Sequence, residues 1–327
     1  MNRRSFIIGG SGLAAAACLR PALILGQVAA YPSKPIKVIV PFPPGGAADT
    51  TMRVLASHLS EALGQPVVVE NKPGANGIIG AEAAARSEAD GYTLLFAPRE
   101  VFGVNPTLYQ TLPYDPVNGL APIGIVVEGS YVLVANPSLG ITTVKQLIDL
   151  AKSKDLAFAS FGVGSMGHLN LEAFARSAGI TLRHIPYKGA PEAVRAVVSG
   201  EVALAISTPP AALGLLRENK LVALVVGADK RLSLLPEVPT LSEVGIAPDT
   251  LLPAFFAMAA PQGTPGAVVG RLSSELRRAL ADPAIVERLS KSGLVPIGGT
   301  PEGMRQVIAQ DVTRFAALVK AIGIKPE

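Results

Sequence analysis

Ile36-Lys37-Val38-Ile39-Val40 leads directly into Pro41-Phe42-Pro43-Pro44-Gly45-Gly46-Ala47-Ala48-Asp49, and an amphipathic stretch follows as far as Leu63. A short apolar β-branched run fits a buried strand, and the apolar period after it fits a helix packed on that strand. The pattern predicts a helix over 50–63, with Asp49 as its N-cap and Gly64 as its stop. It then recurs as strand 67–70, loop 71–77, helix 78–86 and strand 93–97. This βαβαβ order calls for a parallel sheet with right-handed crossovers.

The rhythm changes at 123–135, where two strand-like runs are separated only by Glu128-Gly129-Ser130. We read this as the chain crossing from one lobe to another. A second α/β set follows: helix 144–153, strand 156–160, helix 165–178, strand 181–186, helix 191–199, and strands 202–206 and 221–226. Leu251–Ala259 is the expected return crossing. Helices over 265–281, 283–292 and 301–322 start at or beside a proline, which suits a first helical turn, and are expected to pack on the first lobe. The fold class is therefore α/β, with two doubly wound parallel-sheet lobes joined by a two-strand hinge. Residues 31–126 with 252–327 form lobe 1, and 127–251 form lobe 2.

Outward from this frame, the N-terminus reads as an export signal. Arg3 and Arg4 precede the uncharged apolar stretch Phe6–Ala17, and Val28-Ala29-Ala30 offers a cleavage site. An uninterrupted run of about 12 apolar residues is too short for a bilayer that needs roughly 20. Arg3-Arg4-Ser5-Phe6-Ile7 resembles a twin-arginine motif. Cys18 is the sole cysteine, and cleavage near Ala30 is preferred over lipidation there, so the mature chain has no disulfide, thiolate site or cysteine nucleophile. The 29 basic and 25 acidic residues lose Arg3, Arg4 and Arg20 with the signal, leaving a balance of +1. With no run of like charge, nothing points to nucleic acid. Thirty-three glycines, 28 prolines and 49% hydrophobic residues suit a globular α/β chain, and the absence of tryptophan argues against a sugar cleft.

In open parallel sheets, ligands bind at the loops that start helices. Those loops here are rich in glycine and poor in reactive side chains. Pro41–Asp49 brings backbone N–H groups close to a helix start, which attracts a carboxylate or phosphate. Equally, it reads as a tight turn capped by Asp49. Ser160-Phe161-Gly162-Val163-Gly164-Ser165-Met166-Gly167-His168 fits GxGxxG between strand and helix, so a nicotinamide-dependent oxidoreductase is a rival reading. The next strand ends His184-Ile185-Pro186-Tyr187-Lys188, without the ribose-binding acid, and Val163 excludes a nucleophile elbow. His58, His168 and His184 have no metal-ligand spacing. Among further candidates, Tyr187 can donate to a ligand while Lys188 faces solvent, and Ser207 and Thr208 offer hydroxyls ahead of a helix. Arg99 offers either a bidentate clamp for a carboxylate or, on the reading preferred here, a surface pair with Glu100 or another acid, and the sequence does not decide its role. No catalytic residue, metal or cofactor is expected.

Taken together, these segments resemble the extracytoplasmic receptors of tripartite tricarboxylate transporters, the Bug-type receptors. The resemblance rests on Tyr31-Pro32, Val40–Gly46 with Asp49 and Arg53, Val69-Glu70-Asn71-Lys72-Pro73-Gly74-Ala75-Asn76-Gly77, and Asp90-Gly91-Tyr92-Thr93-Leu94. It continues through the glycine loop closed by His168-Leu169, Pro186-Tyr187-Lys188-Gly189, Arg231, Leu235–Thr240, Glu243-Val244-Gly245 and Ala260-Pro261. It implies a non-catalytic periplasmic-binding-protein fold of Venus-flytrap type for a dicarboxylate, aromatic acid or amino acid. Carried over by position, Phe42, Pro43, Gly45, Asp49, Ala75, Ser160, Gly164, Ser165, His168, Tyr187 and Ser207 become the ligand-binding set. The implied partners are the large and small membrane subunits of a permease, with the receptor a periplasmic monomer; a sensor without its own permease is the alternative. Pro98-Arg99-Glu100 and Leu252–Phe256 depart from the family pattern, so the substrate does not transfer.

Overall fold

The computed structural model describes residues 31–326 of the chain. The export signal, its cleavage site and Cys18 lie outside the described residues. The expected first unit is present: β1 (Ile36–Val40), α1 (Ala47–Leu63), β2 (Val67–Asn71), α2 (Ile78–Ala85) and β3 (Thr93–Pro98). In α1, Met52, Leu55, Ala56, Leu59 and Leu63 are buried at helical spacing. Each large member of that stripe contributes about 1.5–3 kcal/mol on burial. Gly64 ends the helix at φ 68, a left-handed conformation for which glycine is suited. The N-cap is Gly46 rather than Asp49, so the helix starts about one turn earlier than expected.

After β3 come a π-helical turn at Glu100–Val104 and α3 (Asn105–Leu108), neither of which the sequence pattern announces. β4 (Leu120–Gly129) then passes into β5 (Val132–Ala135). The second set is α4 (Val144–Ala151), β6 (Ala157–Ser160), α5 (Met166–Ser177), β7 (Arg183–Pro186), α6 (Ala190–Ser199), β8 (Leu204–Ser207), α7 (Pro209–Arg217) and β9 (Val222–Val226). The chain returns through β10 (Ala254–Pro261) and ends in α8 (Gly266–Ala281), α9 (Pro283–Lys291), β11 (Leu294–Pro296) and α10 (Pro301–Ala321).

Two sheets result, ordered β11-β4-β10-β3-β1-β2 and β7-β6-β8-β5-β9. β1 is parallel to β2 and β3, and β6 is parallel to β7 and β8, as βαβ units require. β4, β5 and β10 pair antiparallel with their neighbours, making both sheets mixed. β5 and β10 enter from the other sheet and not through a crossover helix, so parallel pairing is not imposed on them. The C-terminal helices carry a second difference. Met304 and Ile308 of α10 join the core of the first sheet, but Phe315 and Val319 enter the core around the second. One helix thus packs on both sheets, where the apolar pattern suggested one. Among the described residues, no helix is long and apolar enough to cross a membrane.

Candidate ligand-binding site

The loop after β1 is held by Asp49. Its carboxylate accepts from the Gly45 amide at 2.9 Å, from Arg53 Nε at 3.0 Å and from Asn71 Nδ2 at 2.9 Å. Asn71 also donates to the Phe42 carbonyl at 3.0 Å, and the Arg53 guanidinium reaches Asn71 Oδ1 at 3.1 Å. Burial pushes the Asp49 carboxyl up, but the bonds from Arg53, Gly45 and Asn71 outweigh it and hold it below the usual value. Asp49 is therefore a brace under the Gly45-Gly46 turn. Gly45 itself stands at φ +81, and Phe42 packs against Gly77 and the first core. Pro43, Gly45 and Ala75 are exposed, with Ala75 at φ 45 in a 3-10 turn. No side chain caps the start of α1.

The glycine loop after β6 is different. Ser165 caps α5, accepting from the His168 amide at 3.3 Å and donating to the Gly162 carbonyl at 2.7 Å. The Gly162 amide donates to Ser160 Oγ at 3.2 Å and the Gly164 amide to His168 Nδ1 at 3.2 Å. Gly164, at φ +74, lies hard against Leu108 of α3. The Met166 amide faces Glu100 Oε1 at 3.4 Å. The donors a pyrophosphate would need are thus committed within the protein, and a carboxylate already stands at the helix start. This weakens the dinucleotide reading.

Beneath that loop, His168 and His184 stack with centroids 3.8 Å apart and an 11° interplanar angle, and His184 in turn stacks on Phe158 at 5.0 Å. His184 Nε2 lies 2.6 Å from Ser160 Oγ. Burial depresses both imidazoles to about 4, with repulsion from His184 adding to the effect at His168. Both rings are accordingly neutral at pH 7 and serve as packed supports for the loop.

Arg99 is a correction to the surface expectation. It is buried, pairs with Asp311 of α10 at 2.8 Å, donates to the Pro253 carbonyl and lies 4.7 Å from the Phe255 ring centre. A charge this deep has to be paired, and α10 supplies the partner from 212 residues away.

Between the two sheets lies a cavity of about 530 Å³. The starts of three helices reach it: Ala47 and Thr50 of α1, Ala190 and Pro191 of α6, and Thr208 with Ala211 of α7. None of these three starts has a side-chain cap, so partial positive charge converges on one space, with the first-turn N–H groups supplied mainly by α1 because Pro191 in α6 and Pro209-Pro210 in α7 carry none. Of the sequence-derived set, Ser207 lines the cavity; Ser160, Gly164, Ser165 and His168 build the adjoining loop, from which Phe161 projects as a wall. The Tyr187 hydroxyl is bonded to Glu201 at 2.8 Å. Tyr131, Thr50 and Arg195 also line the cavity and were not singled out from sequence. For Tyr131 the available signal was its place directly after the Glu128-Gly129-Ser130 crossing. Among the described residues, no group of three His, Asp or Glu side chains is arranged to hold a metal.

The model of the tripartite tricarboxylate transporter family receptor, TctC, matches residues 51–324 of this chain. The chain belongs to that receptor family. BugT of Bordetella pertussis is 39% identical over 298 residues, which cover 90% of this chain and 91% of BugT. Among solved structures, the periplasmic binding protein BugD is 32% identical with a TM-score of 0.80, covering 91% of this receptor and 100% of that chain. R. palustris Rpa4515 with adipate is 31% identical with a TM-score of 0.82, at the same coverage. The receptor shares the two-sheet α/β fold of these periplasmic binding proteins. Its family consists of solute-binding receptors, and the cavity between its sheets is the feature suited to that work.

Proposed function

We propose that this receptor captures a small carboxylate outside the cytoplasm and delivers it to the membrane subunits of a tripartite permease. The observation that carries the reading is the meeting of three uncapped helix starts on one cavity whose lining contains no acidic side chain. Several backbone donors in a closed cleft hold an anion without a dedicated lysine. The ligand-bearing loops would be 41–49, 75–77, 160–168, 187–191 and 207–211, with lobe 1 formed by 31–126 and 252–327 and lobe 2 by 127–251. The adipate named for one structural neighbour supports a carboxylate here.

Binding would couple to hinge closure. A ligand that touches both lobes binds the closed form better and shifts the population toward it. The permease subunits would then recognise the closed shape, with the receptor acting as a periplasmic monomer and performing no chemistry on its cargo. Isothermal titration of the mature chain against carboxylates and their uncharged amides tests the reading. Micromolar binding of a carboxylate, with its amide at least roughly 10-fold weaker, is the expected result. A sugar or an amide as the best ligand would sink it.

A further inference from the structure

The cavity between the sheets is wide and mostly apolar. Val194, Ala211, Leu215, Ala254, Phe256 and Leu294 contribute hydrocarbon surface to it. Two rings, Tyr131 at the crossing into β5 and Phe161 in the loop after β6, sit 6.2 Å apart at 42° and both line it, while Phe256 is braced by stacking on Phe96 at 5.8 Å. Its volume of about 530 Å³ equals the liquid share of roughly 18 waters, well beyond what a four-carbon diacid fills. Such a lining rewards a ligand with a large apolar body.

Two polar side chains break the apolar lining in an informative way. Arg195, on the second turn of α6, is the sole charged residue of the lining, is exposed, and has no ion-pair partner among the described residues. Tyr131 is 6% exposed, and its hydroxyl has no hydrogen-bond partner among the described residues. Burial, reinforced by the nearby Glu100, pushes the Tyr131 hydroxyl up, so it remains a neutral donor at every pH the protein meets. A hydroxyl that opens onto the cavity with no protein partner among the described residues, on a residue otherwise buried, suits a group that arrives with the ligand.

We infer that the ligand is a carboxylate with a bulky aromatic body, seated between Phe161 and Phe256, paired through its carboxylate with Arg195 and hydrogen-bonded by Tyr131. This rests on the carboxylate-receptor reading above and narrows it. The fork of a guanidinium matches a carboxylate in two parallel bonds, which a lysine could not reproduce.

The test is calorimetric titration of the mature chain with benzoate, phenylacetate and 3-phenylpropionate against malate, succinate and adipate. The strongest arene acid should bind at least roughly 10-fold more tightly than the strongest diacid. Arg195→Gln should weaken it about 10-fold or more, as loss of a charge-assisted pair does, and Tyr131→Phe several-fold, both without lowering the Tm of the unliganded protein. A diacid as the best binder overturns the aromatic assignment and leaves the carboxylate receptor standing. Binding of none of the six acids overturns both. Undiminished affinity in the Arg195→Gln and Tyr131→Phe variants removes the roles given to those residues.

Discussion

The Glu100 carboxylate, at the end of the third strand of the first sheet, accepts a hydrogen bond of 3.4 Å from the Met166 amide, which opens α5 on the second sheet. An internal carboxyl group therefore occupies the helix start that GxGxxG suggested for a ligand. Burial pushes the Glu100 carboxyl up, and the bonds from its own amide and Met166 and the nearby Arg99 only partly oppose this. A raised folded-state pKa means a stabilising contribution that is full below the unfolded value and is lost as pH rises through the folded one. Glu100→Gln should consequently gain stability relative to the parent as pH rises from 5 to 8. Chemical denaturation at both pH values checks this, and parallel pH slopes for the two proteins would refute it.

Arg99 and Asp311 form a deeper relationship of the same kind. Replacing Arg99 by Met strands a buried carboxylate and should cost about 3–5 kcal/mol. The double variant Arg99→Met/Asp311→Leu should recover most of that loss, since no charge is then left unpaired. Urea unfolding of the single and double variants measures the coupling; additive losses would mean the pair does not act as a unit.

The stacked imidazoles give the opposite pH dependence. His168 and His184 are both held at about 4, against about 6.5 in an unfolded chain. Their stabilising contribution is present above the unfolded value and is lost as pH falls through the folded one. His184→Phe should flatten the fall in Tm between pH 6.5 and 4. NMR titration of the two imidazole resonances should show midpoints near 4. Midpoints at the ordinary value would contradict the buried stack.

Gly164 combines a left-handed backbone with a tight neighbour. Alanine there would meet the Leu108 side chain as well as a φ of +74. The expected loss is about 1–3 kcal/mol, and adding Leu108→Ala should return the steric share while leaving the backbone share. If the second substitution returns nothing, the clash is not the cause. Because Leu108 belongs to α3 and Gly164 to the loop before α5, the variant should also disturb how those two segments meet.

Much of this molecule was legible along the chain. The strand over 36–40 and the helices after it follow from apolar period and glycine stops, because these depend on residues within a few positions of one another. The loops themselves were found for the same reason. What each loop does was harder to read. Asp49 looked like a cap and is a brace, since its partners include Asn71, brought close only by the β1–β2 pairing. Arg99 looked like a surface residue and is buried, since its partner comes from the final helix.

The sequence by itself determined the order of elements and the likeness to a receptor family, both of which reside in local patterns and their succession. Only the tertiary structure decided which helix starts are open and which are filled. Ser165 and Glu100 close α5 from within, while α1, α6 and α7 remain uncapped around one cavity. The physical reason is that helix periodicity is satisfied by neighbours in the chain. A free amide, an unpaired hydroxyl or a buried charge, by contrast, takes its partner from whatever the folded chain brings within about 3 Å.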